Sequence, residues 1–468
     1  MNQEKHNSSN RPPESGTQLE LNKMGTMPVG RLMISMSLPA MFSMIIHALY
    51  NIVDSIFVGM IGQSALTAVT LIFPIQMLLI SVGVGTGVGL NSLISRRLGE
   101  RNFIEANLAA SHGMMLSIIN WALFAIFGFF FSEMFVRAFS ESASIVPDAT
   151  AYCAIVTIFS LFIFIQINVE KILQATGNMI LPMICGLTGA VTNIILDPIL
   201  IFGLLGAPEL GVAGAAAATV VGQFLSMSLG LLFLFTKKHE VKIKIKNFRF
   251  NWYIIKSIYN VGLPAIVMQS IGSVMLVGFN SILISFSDAA VAVLGVYFRL
   301  QSFIFMPVFG LTQGSMPIFG YNFGAKKKDR LLHAFKLSMI IAISIMLVGM
   351  LIFQIFPIPL LKMFNASPEM LHIGVRALRS ISICFVFAGI GIISSTMFQA
   401  TGHGTLSLYM SVLRQIVLIL PLAWLLARFI GLDAVWFSFP MAEIFSLAAT
   451  VLFLRYIYRK EIKDLGSE

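Results

Sequence analysis

The sequence predicts an all-α integral membrane protein with twelve transmembrane helices, arranged as two parallel six-helix repeats. Hydrophobic residues make up 57% of the 468-residue chain and charged residues only 11%, whereas an ordinary soluble domain carries roughly 25% charged residues. Long apolar stretches recur along the chain, and its second half repeats its first half. Such stretches must be helices in lipid, because the backbone has to satisfy its own hydrogen bonds there.

Each predicted span has at least the roughly 20 residues that cross the hydrocarbon core. The predicted spans are 30–60, 65–95, 107–130, 149–175, 179–203, 211–236, 253–283, 289–318, 335–358, 369–395, 405–428 and 433–456. The chain is thereby divided into a disordered cytoplasmic tail (1–24), a first lobe (25–236), a basic linker (237–252), a second lobe (253–460) and a short cytoplasmic tail (461–468). The polar N-terminal segment argues against a cleavable signal peptide.

Basic residues collect on alternate sides of the predicted spans, in runs such as Lys237–Arg249 and Lys326–Arg330. The positive-inside rule places these runs and both termini in the cytoplasm, which requires an even number of spans. We therefore expect a multi-pass protein of the bacterial inner (plasma) membrane. The net charge of +10 reflects these loops, and no nucleic-acid partner is expected.

Several kinds of protein are disfavoured by the motifs. The three cysteines lie inside apolar spans and lack metal-ligand spacing, so we expect neither disulfides nor a zinc site. The sequence has no Walker A motif, no HExxH motif and no nucleophile elbow, so we expect no use of ATP, no cofactor and no enzymatic activity. The cysteines are Cys153, Cys185 and Cys384.

The repeat becomes visible when the sequence is shifted by 225 residues. Residues 38–40 (LPA) then match 263–265, Gln76 matches Gln301, and 174–177 (QATG) match 399–402. Because each half has an even number of spans, the halves enter the membrane in the same direction. Two such bundles around a central cavity that rock against each other are typical of secondary transporters. The glycine-rich stretches 82–91 and 211–222 are expected to allow close helix packing, with flexing of these helices as the alternative.

Acidic residues within the spans break this symmetry. Asp54 and Asp197 fall on Phe279 and Leu422 of the second half. A charge in mid-membrane costs at least about 2.5–3.5 kcal/mol, which makes each acid a functional candidate. Asn193 shares a helix face with Asp197 at i, i+4. Carboxylate and amide oxygens suit a hard cation such as Na⁺, and two neighbouring carboxylates can instead share one proton; a structural hydrogen bond remains the alternative.

Other polar residues in the spans are candidates for a supporting network or for the substrate cavity. Glu170 has the alternative of pairing with Lys171, and the arginines within the spans and Glu443 are expected to pair structurally or to extend to the interface. Methionine and phenylalanine side chains would make a cavity adaptable. The network candidates are His47, Tyr50, Gln76, Tyr152, Asn168, Glu170 and Gln301; the structural group is Arg299, Arg379, Arg414 and Glu443.

Five segments together resemble the multidrug and toxic compound extrusion (MATE) family, in particular its bacterial MepA-like branch. They are LPAMFSMIIHALYNIVDSIFVG (38–59), RRLGERN (96–102), QATGN (174–178), NIILDP (193–198) and GVAGAAAAT (211–219). The resemblance covers about 25–460. It implies a monomeric antiporter with two V-shaped lobes that expels cationic, amphipathic small molecules while Na⁺ or H⁺ runs inward.

The resemblance also implies a coupling-ion site at Asp54, Asn193 and Asp197, with Thr219 and the Ala215 backbone nearby. Another branch of the family has an acid in the first span of the second lobe, where this sequence has Gln269. We therefore expect coupling in the first lobe only, with the ion left open. A lipid-linked oligosaccharide flippase of the same superfamily is the alternative, although its cavity should be strongly basic.

Overall fold

The computed structural model describes residues 22–243 and 248–466, and within these ranges the chain is helical with no strand. Ten continuous helices are long and apolar enough to cross a membrane, and two bent helix pairs complete a set of twelve spans. The predicted fold class is confirmed. In chain order the spans are α1 Val29–Ile61, α2 Gln63–Gly99, α3 Phe103–Phe130, α4 Ile145–Ile158 with Leu161–Ala175, α5 Ile180–Phe202, α6 Val212–Thr236, α7 Trp252–Leu283, α8 Asp288–Gly324, α9 Lys328–Ile355, α10 Pro368–Ser382 with Phe385–Ala400, α11 Gly404–Phe429 and α12 Leu432–Ile462.

The structure departs from the predicted elements in two respects. α4 and α10 are bent by 44° and 47° where continuous spans were expected. The breaks fall at Phe159 and Cys384, which are related by the 225-residue shift, so the bend belongs to both repeats. Residues Lys23–Thr26 form a short helix, which corrects the end of the predicted disordered tail. The predictions for residues 1–21, 244–247 and 467–468 lie outside the described residues.

The repeat is also visible in the backbone. Arg101 and Lys326, related by the 225-residue shift, both have positive φ values, 59° and 54°. Gly177 and Gly402 form a second such pair, with φ values of 87° and 94°. Non-glycine residues rarely adopt this conformation. The same turns therefore end α2 and α8, and the same turns end α4 and α10.

The first lobe, defined here as α1–α6, packs against the second lobe, α7–α12, through crossed contacts. α1 packs along α8, and α7 packs along α2. A Cβ atom on Gly85 would lie 2.3 Å from Cγ1 of Ile266, and one on Gly310 would lie 2.4 Å from the Cα of Met41. Ile266 and Met41 are themselves related by the repeat. The interface between the lobes is therefore close-packed and pseudo-symmetric.

The end of the bundle that carries Arg96–Arg101 and Lys326–Arg330 is called the basic-loop end. Gly99 contacts Tyr321 there, and Gly324 contacts Arg96. Deeper in the first lobe, Val58, Tyr152 and Ala215 belong to a separate apolar cluster. The cluster includes Val58 and Ile201, which lie one turn after Asp54 of α1 and Asp197 of α5.

Candidate cation site

The site is built first by α5 and α6, which pack along each other. Asp197 is 0% exposed and Asn193 is 2% exposed. With its amide oriented to satisfy both neighbours, Asn193 donates to Oδ2 of Asp197 at 3.0 Å and accepts from Oγ1 of Thr219 at 3.2 Å. The i, i+4 spacing of Asn193 and Asp197 therefore places both side chains on the face that meets α6. Ala215 is buried one turn before Thr219.

α1 completes the site, because it packs against α5 and carries Asp54. The carboxyl groups of Asp54 and Asp197 are close enough to interact directly. The hydroxyl group of Tyr50, one turn before Asp54, lies beside both carboxyls and beside Thr219. Four predicted residues, Asp54, Asn193, Asp197 and Thr219, thus come together across three helices.

Part of the predicted supporting network surrounds these residues. Gln76 on α2 donates to the hydroxyl group of Tyr152 at 2.9 Å, and Tyr152 lies near Asp54 and Tyr50. The ring of His47 is 5.4 Å from that of Tyr50. Polar groups of α1, α2 and α4 therefore lie beside the pair of carboxyls.

The donor set of this cluster is rich in oxygen. Two carboxylates, one amide oxygen and hydroxyl groups match the ligands that Na⁺ and other hard cations take in proteins. Among residues 22–243 and 248–466, no lysine or arginine forms an ion pair with Asp54 or Asp197. A buried carboxylate without a cationic neighbour favours an added cation or a proton. The cluster can therefore hold either.

Three predicted residues lie apart from the cluster. Asn168 donates to the Gly113 carbonyl at 3.0 Å and so joins α4 to α3. Glu170 accepts from Gln166 at 3.0 Å within α4. Gln301 lies on α8, in the second lobe. These residues therefore add no oxygen to the cluster.

The structure contains a polar contact between the lobes that the sequence analysis did not predict. Nζ of Lys171, only 9% exposed, donates to Gln174 at 2.9 Å and to Gln313 of α8 at 3.2 Å. Gln174 also donates to Gln313 at 3.2 Å. A lysine within an apolar span is a signal for such a contact, but its partner lies more than 100 residues away. The sequence therefore does not indicate that Lys171 contacts Gln313.

The second lobe fills the related region differently. Phe279, the counterpart of Asp54, is fully buried, with its ring 5.0 Å from that of Phe439. Arg414 of α11 and Glu443 of α12 form an ion pair at 3.0 Å. The buried acid of this lobe thus has its own cation.

Comparisons with known proteins agree with this architecture. The sequence profile of the MatE family matches twice, over residues 39–199 and 264–425, and the two matches begin 225 residues apart. The multidrug export protein MepA of Staphylococcus haemolyticus is 27% identical over 433 residues, covering 92% of this chain and 94% of that protein. MepA of Staphylococcus aureus (strain MRSA252) is 26% identical, with coverages of 94% and 96%.

Solved structures give the same result. A multidrug resistance MATE family transporter of the MOP superfamily, in an outward-facing conformation, has a TM-score of 0.89 and 26% identity, covering 96% of this chain and 99% of that chain. A MOP superfamily transporter of Pyrococcus furiosus, whose reversed binding-pocket polarity suggests a different function, has a TM-score of 0.88 and 26% identity, with coverages of 95% and 98%. The two profile matches together span more than half of the sequence, and the chain therefore belongs to the MATE family of membrane transporters.

Proposed function

We propose that this chain is a multidrug efflux antiporter, which exports cationic, amphipathic small molecules by alternating access in exchange for inward Na⁺ or H⁺. The observation that carries the proposal is the pair of acids in the first lobe, Asp54 and Asp197, which lie together and have no cationic partner among the described residues. Relatives named as multidrug export proteins support the cargo class.

The cluster couples ion and cargo through charge. With Asp54 and Asp197 both ionised and close together, the site carries an uncompensated negative charge, and an inward-moving ion neutralises it. A bound cation or proton therefore changes the affinity of this lobe for a cationic guest, which is the differential affinity that linked transport needs. The amide of Asn193 holds Asp197 in place for this exchange.

The relatives and the charge pattern support a proposal for where and how the protein works. We place the protein in the bacterial plasma membrane as a monomer, with both termini in the cytoplasm. The basic-loop end is then the cytoplasmic end, because basic loops remain on that side. In the structure the two lobes are in contact at this end.

A flippase for lipid-linked oligosaccharides is the second candidate. The Pyrococcus furiosus neighbour, with its reversed pocket polarity, illustrates that this fold serves more than one function. An anionic cargo needs a basic binding surface. Asp54 and Asp197 form no ion pair with a described lysine or arginine, whereas Arg414 of α11 is neutralised by Glu443, so a cationic cargo is favoured.

The test is ethidium efflux from proteoliposomes under an inward Na⁺ gradient or an inward H⁺ gradient, imposed separately. We expect efflux under one of the two gradients, and that gradient identifies the ion. Absence of efflux under both would refute drug antiport, and transport of a lipid-linked sugar would then support the flippase.

The Asp197→Asn variant tests the site. It keeps the size of the side chain and removes its charge, so gradient-driven efflux should be lost while thermal unfolding stays close to that of the wild type. The matched control is Asp288→Asn, the same chemical change at the exposed start of α8. Gradient-driven efflux by Asp197→Asn would show that the ion is coupled elsewhere.

A further inference from the structure

The segment that leads into α1 is held by the second lobe. The backbone carbonyl of Met24, which is fully buried, accepts from Asn322 at 3.2 Å and from Arg330 at 3.0 Å. Arg330 also donates to the carbonyl of Met27 at 2.7 Å. Asn322 lies in the last turn of α8 and Arg330 in the first turn of α9. The start of the first lobe is therefore bound to two helices of the second.

The same segment also contacts the first lobe and the linker. Asn22 donates to Glu240 at 2.9 Å and to the carbonyl of Thr176 at 3.4 Å. Burial lowers the pKa of Lys23 and raises the pKa of Glu240, as expected for groups enclosed in such a contact. Residues 22–27 thus bridge the lobes across the basic-loop end.

The segment that leads into α7 makes the reciprocal contact with the first lobe. The backbone N–H of Asn251 donates to Nε2 of His112 at 2.8 Å, and the ring of Phe248 packs 4.7 Å from the same imidazole. Arg97, at the end of α2, donates to the hydroxyl group of Tyr253 at 2.9 Å. α2 and α3 hold this segment in the way that α8 and α9 hold the other.

We propose that these two entry segments, residues 22–27 and 248–253, act as reciprocal clasps that hold the basic-loop end closed, and that both must release in each transport cycle. The proposal rests on the proposed function, because alternating access requires this end to open. Each clasp runs directly into the first helix of its own lobe, and each makes hydrogen bonds to the other lobe. Separation of the lobes at this end therefore breaks these hydrogen bonds and removes each segment from its contacts with the other lobe.

Arg330 is the main positioning residue of the first clasp, because one guanidinium nitrogen donates to two carbonyls. Hydrogen bonds from a charged donor are stronger than those between neutral groups. Arg330→Ala should therefore raise the population that is open at the basic-loop end by about tenfold or more. The control is Arg459→Ala, which removes an equal charge from an exposed position near the end of α12.

The experiment measures the distance between spin labels at Ile104→Cys and Asp329→Cys, exposed and repeat-related positions on α3 and α9. The measurement uses the full chain in lipid nanodiscs without ion gradient or drug; the three native cysteines are buried. We expect one short distance in the wild type and in Arg459→Ala, and an added longer distance in Arg330→Ala. Unchanged distances in a folded Arg330→Ala protein would overturn the proposal.

Arg97→Gln provides the second arm, since it weakens the other clasp. It should produce the same longer distance, and the double variant should enlarge that population further. If Arg330→Ala fails to fold, the Arg97→Gln result decides the matter alone. The spin-label distances can be measured without transport. A longer distance in a variant of a protein that exports no ethidium would therefore refute the proposed cargo but support the clasps.

Discussion

Substitution of Gly99 by alanine should open the basic-loop end of the protein. A Cβ atom there would lie 2.1 Å from the carbonyl oxygen of Tyr321 on α8. Ordinary contact begins at 3.4 Å, so α2 and α8 must separate by about 1.3 Å at this point. A backbone carbonyl cannot move aside by changing rotamer. Gly324, which faces the Arg96 carbonyl at 2.1 Å, is under the same constraint.

The magnitude follows from the cost of overpacking. Inserting a methyl group into a well-packed contact costs about 1–3 kcal/mol, which corresponds to a roughly 5- to 150-fold change in an equilibrium between two states. Alanine also favours a helix over glycine by about 1 kcal/mol. The substitution therefore stabilises the helices themselves, and we expect it to destabilise the contact between the lobes.

The assay is the distance between labels at positions 104 and 329, together with thermal unfolding. The control is Gly295→Ala on α8, where an added Cβ meets no atom within 4 Å. It should leave the distance unchanged and raise the unfolding temperature slightly. A wild-type distance in Gly99→Ala, with Gly324→Ala behaving in the same way, would refute the idea that this close approach sets the closed end.

Three further predictions concern single polar contacts. Asn193→Leu removes the amide that donates to Asp197, so gradient-driven ethidium efflux should fall at least about tenfold; unchanged efflux would remove this amide from the site. Arg414→Met leaves the buried carboxylate of Glu443 unpaired and should cost about 3–5 kcal/mol of stability. Pairing it with Glu443→Gln should restore most of the unfolding temperature, and equal losses in both proteins would contradict this reading. Burial raises the pKa of Glu240, so the native state binds more protons than the unfolded chain, and stability should fall as the pH rises above the usual range of a glutamate. Glu240→Gln should flatten that part of the pH profile of the unfolding temperature, and a profile identical to the wild type would contradict it.

The spans were predictable because hydropathy and the internal repeat both indicate them. The repeat also relates positions that lie far apart in the sequence. The bends were not. Neither Phe159 nor Cys384 is a proline or a glycine, and these are the residues that usually mark a break in a helix. Only the packing of the folded bundle reveals that α4 and α10 turn at these positions.

The site was partly predictable for a similar reason. The spacing of Asn193 and Asp197 fixes their common face on α5, but nothing in the spacing indicates that α1 brings Asp54 to that face. Polarity alone was a poor guide to position, because Asn168 is a buried amide that serves the contact with α3. The inter-lobe bonds of Lys171 depend on helices that are distant in sequence and so were missed.

α1 carries both a contact that is repeated in the second lobe and a residue that is not. Along α1, Met41 packs on Gly310 of the second lobe, as its counterpart Ile266 packs on Gly85. Asp54, 13 residues further along and therefore about 20 Å away, has no acidic counterpart in α7. The alternating access proposed above would load both copies of the inter-lobe contact, which accounts for its presence in both repeats. In the antiport proposed above, one cation site in the first lobe is sufficient, and α1 carries both Asp54 of that site and the inter-lobe contact of Met41.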